Sequence, residues 1–187
     1  EIHRTELVGP RIGKELQRKA VWAILIGLLL MLIYITFRFD FKFGVGAVLA
    51  LFHDVFITLG FLSIFNMDID ITIIAALLTI VGYSINDSIV VSDRIRENLK
   101  KLGRKFPIDK FIDTINRSIN ETLSRTVITS LSTIFVLLAI LIFGGPVIFD
   151  FAFALTVGVI IGTYSSIFVV AALVVEWTAT RERKHGK

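Results

Sequence analysis

The chain has 187 residues, 55% of them hydrophobic, with a mean hydropathy of +0.78. Such a composition excludes an ordinary soluble globule and points to a membrane protein. The absence of cysteine removes disulfides and thiolate chemistry, and the net charge of +4 sits in loops flanking apolar segments, not in a nucleic-acid-binding patch.

Residues 1–19 are polar, begin with Glu and carry Gly9-Pro10 and Gly13; they read as the exit from a preceding extramembrane domain. Five apolar segments follow: Val21–Phe37, Phe43–Phe65, Ile69–Ser92, Val127–Phe149 and Phe151–Val175. Each approaches or exceeds the roughly 20 residues that a spanning helix needs, the first only marginally. The expected organisation is three membrane helices over 20–93, a cytoplasmic loop over 94–125, two more membrane helices over 126–176 and a basic tail over 177–187. The predicted fold class is an all-α membrane protein with five transmembrane helices.

The segment Arg94–Arg125 holds nine Lys or Arg against four Asp or Glu, whereas the turns Asn66–Asp70 and Gly144–Asp150 hold aspartates and no Lys or Arg. The positive-inside rule therefore places 94–125 and the tail on the cytoplasmic side. An odd number of spans then puts the N-terminal segment outside, against the mild pull of its own basic residues. Within the loop, Ile108, Phe111, Ile112, Ile115, Ile119 and Leu123 recur at helical spacing after Pro107, while Lys110, Asp113, Arg117 and Glu121 take other faces. This pattern predicts an amphipathic helix that lies in the interface or caps the bundle from below.

Polar residues inside the spans carry the functional signal. Asp87 lies about 10 Å in from Arg94 at 1.5 Å per residue, and a carboxylate at that depth costs roughly 2.5–3.5 kcal/mol even on lenient scales. Ser84, Asp87, Ser88 and Val91 share one face of the third span. On the fourth span, Arg125, Thr129, Ser132 and Thr133 form a stripe with Thr126 and Ser130 alongside. Arg125 at its cytoplasmic edge either reaches along its stem toward Asp87, with Thr129 and Ser88 available as bridges, or marks the membrane boundary. His53-Asp54 in the second span either extends a polar path or joins helices by hydrogen bonds. Gly158-x-x-x-Gly162 in the fifth span predicts close helix packing, with Ser165 and Ser166 following.

Other chemistry is set aside. An intramembrane aspartyl protease needs two carboxylates sharing a proton at about 3 Å, and the Gly-x-Gly-Asp pattern of such proteases is absent. His53 is alone as a metal ligand within the membrane, and no phosphate loop is present, so neither a metal nor another cofactor is expected. The remaining energy source is an ion gradient sensed by a buried titratable group.

The stretch GYSINDSIVVSDRIREN (82–98) resembles the SecF family, the smaller half of the SecDF accessory translocase. The resemblance continues in family order through VGPRIGKEL (8–16), FRFDFKFGVGAVLALFHDVFITLGF (37–61), INETLSRTVITSLST (119–133) and FGGPVIFDFAFALTVGVIIGTYSSIF (143–168). It implies a bundle of the resistance-nodulation-division type, half of a pseudo-symmetric pair with SecD, in the cytoplasmic membrane. Its five helices would be the family's second to sixth, without the first span and the extracytoplasmic domain, and the N-terminal segment would lie outside. Asp87 and Arg125 match the family's proton-relay positions. His53, Asp54, Ser84, Ser88, Thr129, Ser130 and Thr133 stand as possible support. Implied partners are SecD, the SecYEG channel with SecA, unfolded preprotein and membrane lipid, with no nucleic acid and no enzymatic activity. Two alternatives stand beside it: half of a multidrug efflux pump, and a non-conducting structural subunit.

Overall fold

The computed structural model describes residues 10–38, 41–103 and 107–185. Residues 1–9 of the expected exit segment and the last two of the tail lie outside the described residues. Five helices follow in chain order: α1 (Pro10–Arg38), α2 (Phe41–Ile64), α3 (Ile71–Leu102), α4 (Ile108–Phe143) and α5 (Pro146–His185). No strand occurs among the described residues.

Helix ends follow local chemistry. The Asp70 carboxylate accepts from the Ile73 N–H at 2.8 Å and so caps α3, an interaction typically worth about 1 kcal/mol. Asn66 takes φ 51° in the turn after α2, a left-handed conformation that its short polar side chain tolerates. Between α4 and α5 the chain reverses at Gly145, with φ 74°, and restarts at Pro146, whose missing N–H costs nothing in a first turn.

Four helices, α2 to α5, are long and apolar enough to cross a membrane; the apolar part of α1, Val21–Phe37, is shorter. The helices overrun the expected loop at both ends. At 1.5 Å per residue, α3 is about 48 Å and α4 about 54 Å long, against a hydrocarbon core of about 30 Å. No Gly or Pro interrupts 108–143, so the amphipathic stretch runs unbroken into the fourth span. It is the base of α4, not a separate element in the interface. Its Phe111 and Ile115 join the buried core together with Ile95 from the extension of α3.

α5 occupies the centre, packed on α2, α3 and α4, while α1 lies mainly against α2. Only 17% of the most apolar stretch of α4 is buried, against 50% for α3 and α5. The outward face of α4, with Phe135, Val136, Ile142 and Phe143, is therefore a surface for lipid or another apolar neighbour.

Candidate functional site

Asp87 is 4% exposed, and its Oδ2 has no hydrogen-bond partner. It faces α4, where the Ser130 hydroxyl and the Arg125 guanidinium are the polar groups acting on it. Arg125 is exposed and makes no ion pair with Asp87 within 4 Å. Ser130, by contrast, is buried and held from two sides: Thr163 of α5 lies 2.7 Å from its Oγ, and the Tyr83 hydroxyl donates to it at 3.4 Å.

A second carboxylate comes from α2. Asp54 is fully buried, and its Oδ2 accepts from Ser84 of α3 at 2.6 Å and from Ser165 of α5 at 2.7 Å. Its Oδ1 lies 3.1 Å from Nδ1 of His53, whose side chain is 34% exposed. Close helix approach makes this possible. A Cβ at Gly158 would collide with the Ile80 side chain, and one at Gly162 would stand 3.1 Å from Ser84 Cβ and 3.6 Å from Asp54 Oδ2. Ile80 and Ser84 are one turn apart, so the two glycines form a shallow face on α5 that receives one ridge of α3.

The buried face of α4 is unusual in its chemistry. Ser118, Thr122, Thr126 and Ser130 recur every four residues, and all are buried. This ladder runs along the contact with α3 from the α3–α4 turn to the level of Asp87. At its base, beyond the apolar stretch of α4, Asn98 donates to Ser118 at 3.0 Å and to Glu121 at 2.8 Å, and Arg94 and Arg117 pair with Glu121 at 2.7 and 2.9 Å. The Asn98 amide and the two guanidiniums hold the Glu121 carboxyl down to about 2, well below the ordinary carboxylate range. Higher up, Thr126 Oγ1 is buried without a partner, as is Asp87 Oδ2.

The residues named from the sequence are thus divided. Ser84 and Asp54 meet directly, and Ser130 and Asp87 share a locality. Ser88 turns away from α4 into a crevice with Ile35, Ala47, Ile89 and Ser92, and its Oγ has no partner. Thr129, Ser132 and Thr133 donate to carbonyls three or four residues earlier in their own helix, so they are not a bridge to Asp87. The inner stripe of α4 is the one through Thr126 and Ser130. Thr163, Ser165, Asn98 and Ser118 are site residues that the sequence reading did not assign. Ser165, three residues after Gly162, shares its face, and that spacing is the signal that could have found it.

A family model described as protein export membrane protein SecD/SecF, C-terminal, matches residues 1–180. The chain belongs to this family. It is 58% identical over 182 residues to the protein translocase subunit SecDF of Thermus thermophilus, covering 97% of this chain and 24% of that protein. It is 52% identical to protein translocase subunit SecF of Calditerrivibrio nitroreducens and 48% identical to that of Escherichia coli O157:H7, spanning 59% and 55% of their lengths. A crystal structure of SecDF, titled a translocon-associated membrane protein, matches with a TM-score of 0.84 at 59% identity, over 92% of this chain and 23% of that one. SecDF in a super-membrane-facing form matches with the same TM-score over 96% of this chain. The chain therefore has the helical membrane fold of the SecD/SecF family and is a multi-pass membrane protein. It spans about a quarter of the SecDF relative and little more than half of these two SecF relatives.

Proposed function

We propose that the chain is the proton-carrying membrane part of a SecF-type accessory subunit of the Sec preprotein translocase. In this reading it sits in the cytoplasmic membrane with its C-terminus inside and pairs with SecD. It draws on the proton-motive force to assist export of unfolded preproteins through SecYEG after SecA has begun it. Its role is one of transport and not of enzymatic turnover.

The observation that carries the reading is the Asp87 carboxylate. It is buried at the head of a seam between α3 and α4 whose inner face is a ladder of hydroxyls, and one of its oxygens lacks a partner. Buried polar atoms are nearly always hydrogen-bonded, so a buried carboxylate oxygen left without a partner calls for a role beyond joining helices. An ionisable residue with spare acceptor capacity on a polar seam is suited to loading and releasing a proton, with Arg125 favouring release when it approaches. The relatives bear the names of export subunits, and the efflux-pump alternative finds no support in them.

The test is Asp87→Asn in the full-length protein, reconstituted with its translocase in vesicles. Gradient-driven proton flux and gradient-stimulated export are expected to vanish while the ATP-driven step remains. Normal export by this variant would leave Asp87 a structural residue and favour the non-conducting subunit.

A further inference from the structure

We propose that the His53–Asp54 pair of α2 is a second proton-accepting site of the bundle, distinct from Asp87, and that Ser84 and Ser165 transmit its occupancy to α3 and α5. This deepens the proton-carrier reading and rests on it.

The two oxygens of Asp54 have different tasks. Oδ2 is occupied by the hydroxyls of Ser84 and Ser165, at 2.6 and 2.7 Å, so a proton placed there would have to displace a donor. Oδ1 faces Nδ1 of His53 at 3.1 Å. An added proton is thereby confined to the axis between Oδ1 and the imidazole. In the empty state, a neutral imidazole donates its Nδ1–H to the carboxylate. Uptake of one proton at Nε2 gives an imidazolium facing a carboxylate. Movement of the Nδ1 proton to Oδ1 then gives a carboxylic acid and a neutral imidazole that keeps Nε2–H. One N–H bond forms on uptake, one N–H is exchanged for O–H on transfer, and no other bond changes.

Access follows from burial. Asp54 is fully enclosed, whereas the His53 side chain is 34% exposed, so the imidazole is the way in. Ionisable residues within a bilayer face the bundle interior or a water-filled cavity. The open edge of His53 is therefore the part of the pair that the bundle leaves accessible.

Few other ionisable groups bear on the pair. α3 presents Ser84 to it and carries Asp87 one turn further on; α5 presents Ser165. Tyr83 turns to Ser130, and Tyr164 packs on Phe168 with ring centroids 5.2 Å apart. The apolar part of α1, Val21–Phe37, contains no ionisable group except an exposed Tyr34.

Protonation of the pair weakens Oδ2 as an acceptor and loosens both serine bonds. Ser84 stands three residues before Asp87, and Ser165 two residues after Thr163, the neighbour of Ser130. Both arms of the Asp54 cluster thus end in the surroundings of Asp87.

The test is 15N NMR of His53 in the full-length protein in lipid nanodiscs, assigned by comparison with His53→Gln. The Nδ1 signal of His53 is expected to be that of a protonated, hydrogen-bonded nitrogen in wild type and to shift in Asp54→Asn, where the charged acceptor is lost. Because Asp54→Asn removes a buried anchor, Ser165→Ala serves as a second variant. It keeps the carboxylate, removes one donor, and is expected to shift the same Nδ1 signal by a smaller amount. If the His53 ring signals are identical in wild type and in whichever of these variants folds, the pair is not coupled and the proposal is overturned. In flux measurements, His53→Gln is expected to displace the pH profile. Intact flux in Asp87→Asn would sink the proton-carrier reading, and with it the functional role of the pair. Unchanged His53 ring signals beside a dead Asp87→Asn would sink the second site alone.

Discussion

Thr163 of α5 and Ser130 of α4 place their hydroxyl oxygens 2.7 Å apart, and the same Thr163 hydroxyl lies 2.6 Å from the carbonyl of Val159. A hydroxyl has one proton. When Thr163 donates to Ser130, the Ser130 proton is free for Asp87. When Thr163 donates to Val159, Ser130 turns its proton to Thr163 and away from Asp87. The rotation of one hydroxyl on the central helix therefore governs how well a charge on Asp87 is met.

The first prediction concerns that rotor. Thr163→Val keeps shape and removes the hydroxyl, so it is expected to lower gradient-driven flux by about tenfold, the equivalent of losing roughly 1.4 kcal/mol from one charge-assisted bond. Thr163→Ser keeps the hydroxyl and should retain most of the flux. Equal flux in the two variants would show that the hydroxyl has no part in the path.

A second prediction tests the close face of α5. Gly158→Ala drives a methyl group into Ile80, which is 1% exposed and has little room to yield. Overpacking of this kind costs about 1–3 kcal/mol. The thermal unfolding midpoint in detergent should fall for Gly158→Ala, and Ile80→Ala in the same chain should recover part of the loss. A double variant no better than the sum of the two singles would mean that this contact does not limit helix approach.

Much of this was legible in the sequence because the membrane makes single residues conspicuous. Asp87, His53-Asp54 and the Gly158/Gly162 pair stand out since charge is costly there and small residues are needed where helices touch. The face of each hydroxyl on α4 was harder to assign. Thr126 and Ser130 differ from Thr129 and Thr133 by a rotation that the apolar pattern cannot resolve in a helix apolar almost all round. The length of α4 was missed for another reason. Charged residues at 109–125 signal departure from the membrane, which is compatible with either a loop or a helix that continues into water. The partners of Asp54 come from α3 and α5, 30 and 111 residues away, and only tertiary packing brings them together.

The third prediction is a pH dependence. The Glu121 carboxyl is pushed down to about 2 in the folded chain, from an ordinary value of 4.5. A depressed folded value means that its contribution to holding α3 on α4 is fully present above about pH 4.5. It is lost as pH falls through that value toward 2. The carboxyl 13C resonance of Glu121 should accordingly show the charged form at pH 4. Arg94→Gln and Asn98→Ala should each bring its midpoint back toward 4.5. A wild-type midpoint already at 4.5 would mean that the Arg94, Asn98 and Arg117 contacts do not persist in solution.

The last prediction returns to Arg125. It lies one turn beyond Glu121 on α4, is exposed, and acts on Asp87 through its charge without touching it. If it only marks the membrane boundary, any cation at that position suffices, and Lys should serve as well as Arg. If it approaches Asp87 during the cycle, the planar guanidinium matters. It can meet a carboxylate through two parallel N–H donors while staying charged, whereas an ammonium is a point charge that is more strongly hydrated and more easily deprotonated on burial. Arg125→Lys is therefore expected to insert and fold normally, with an unchanged unfolding midpoint, and to lose about tenfold or more in gradient-driven flux. Combining it with Asp87→Asn should produce no further loss beyond Asp87→Asn alone, because both act on the same step. Wild-type flux in Arg125→Lys would return the residue to the role of a boundary marker and leave Ser130 and Thr163 as the groups that tune Asp87.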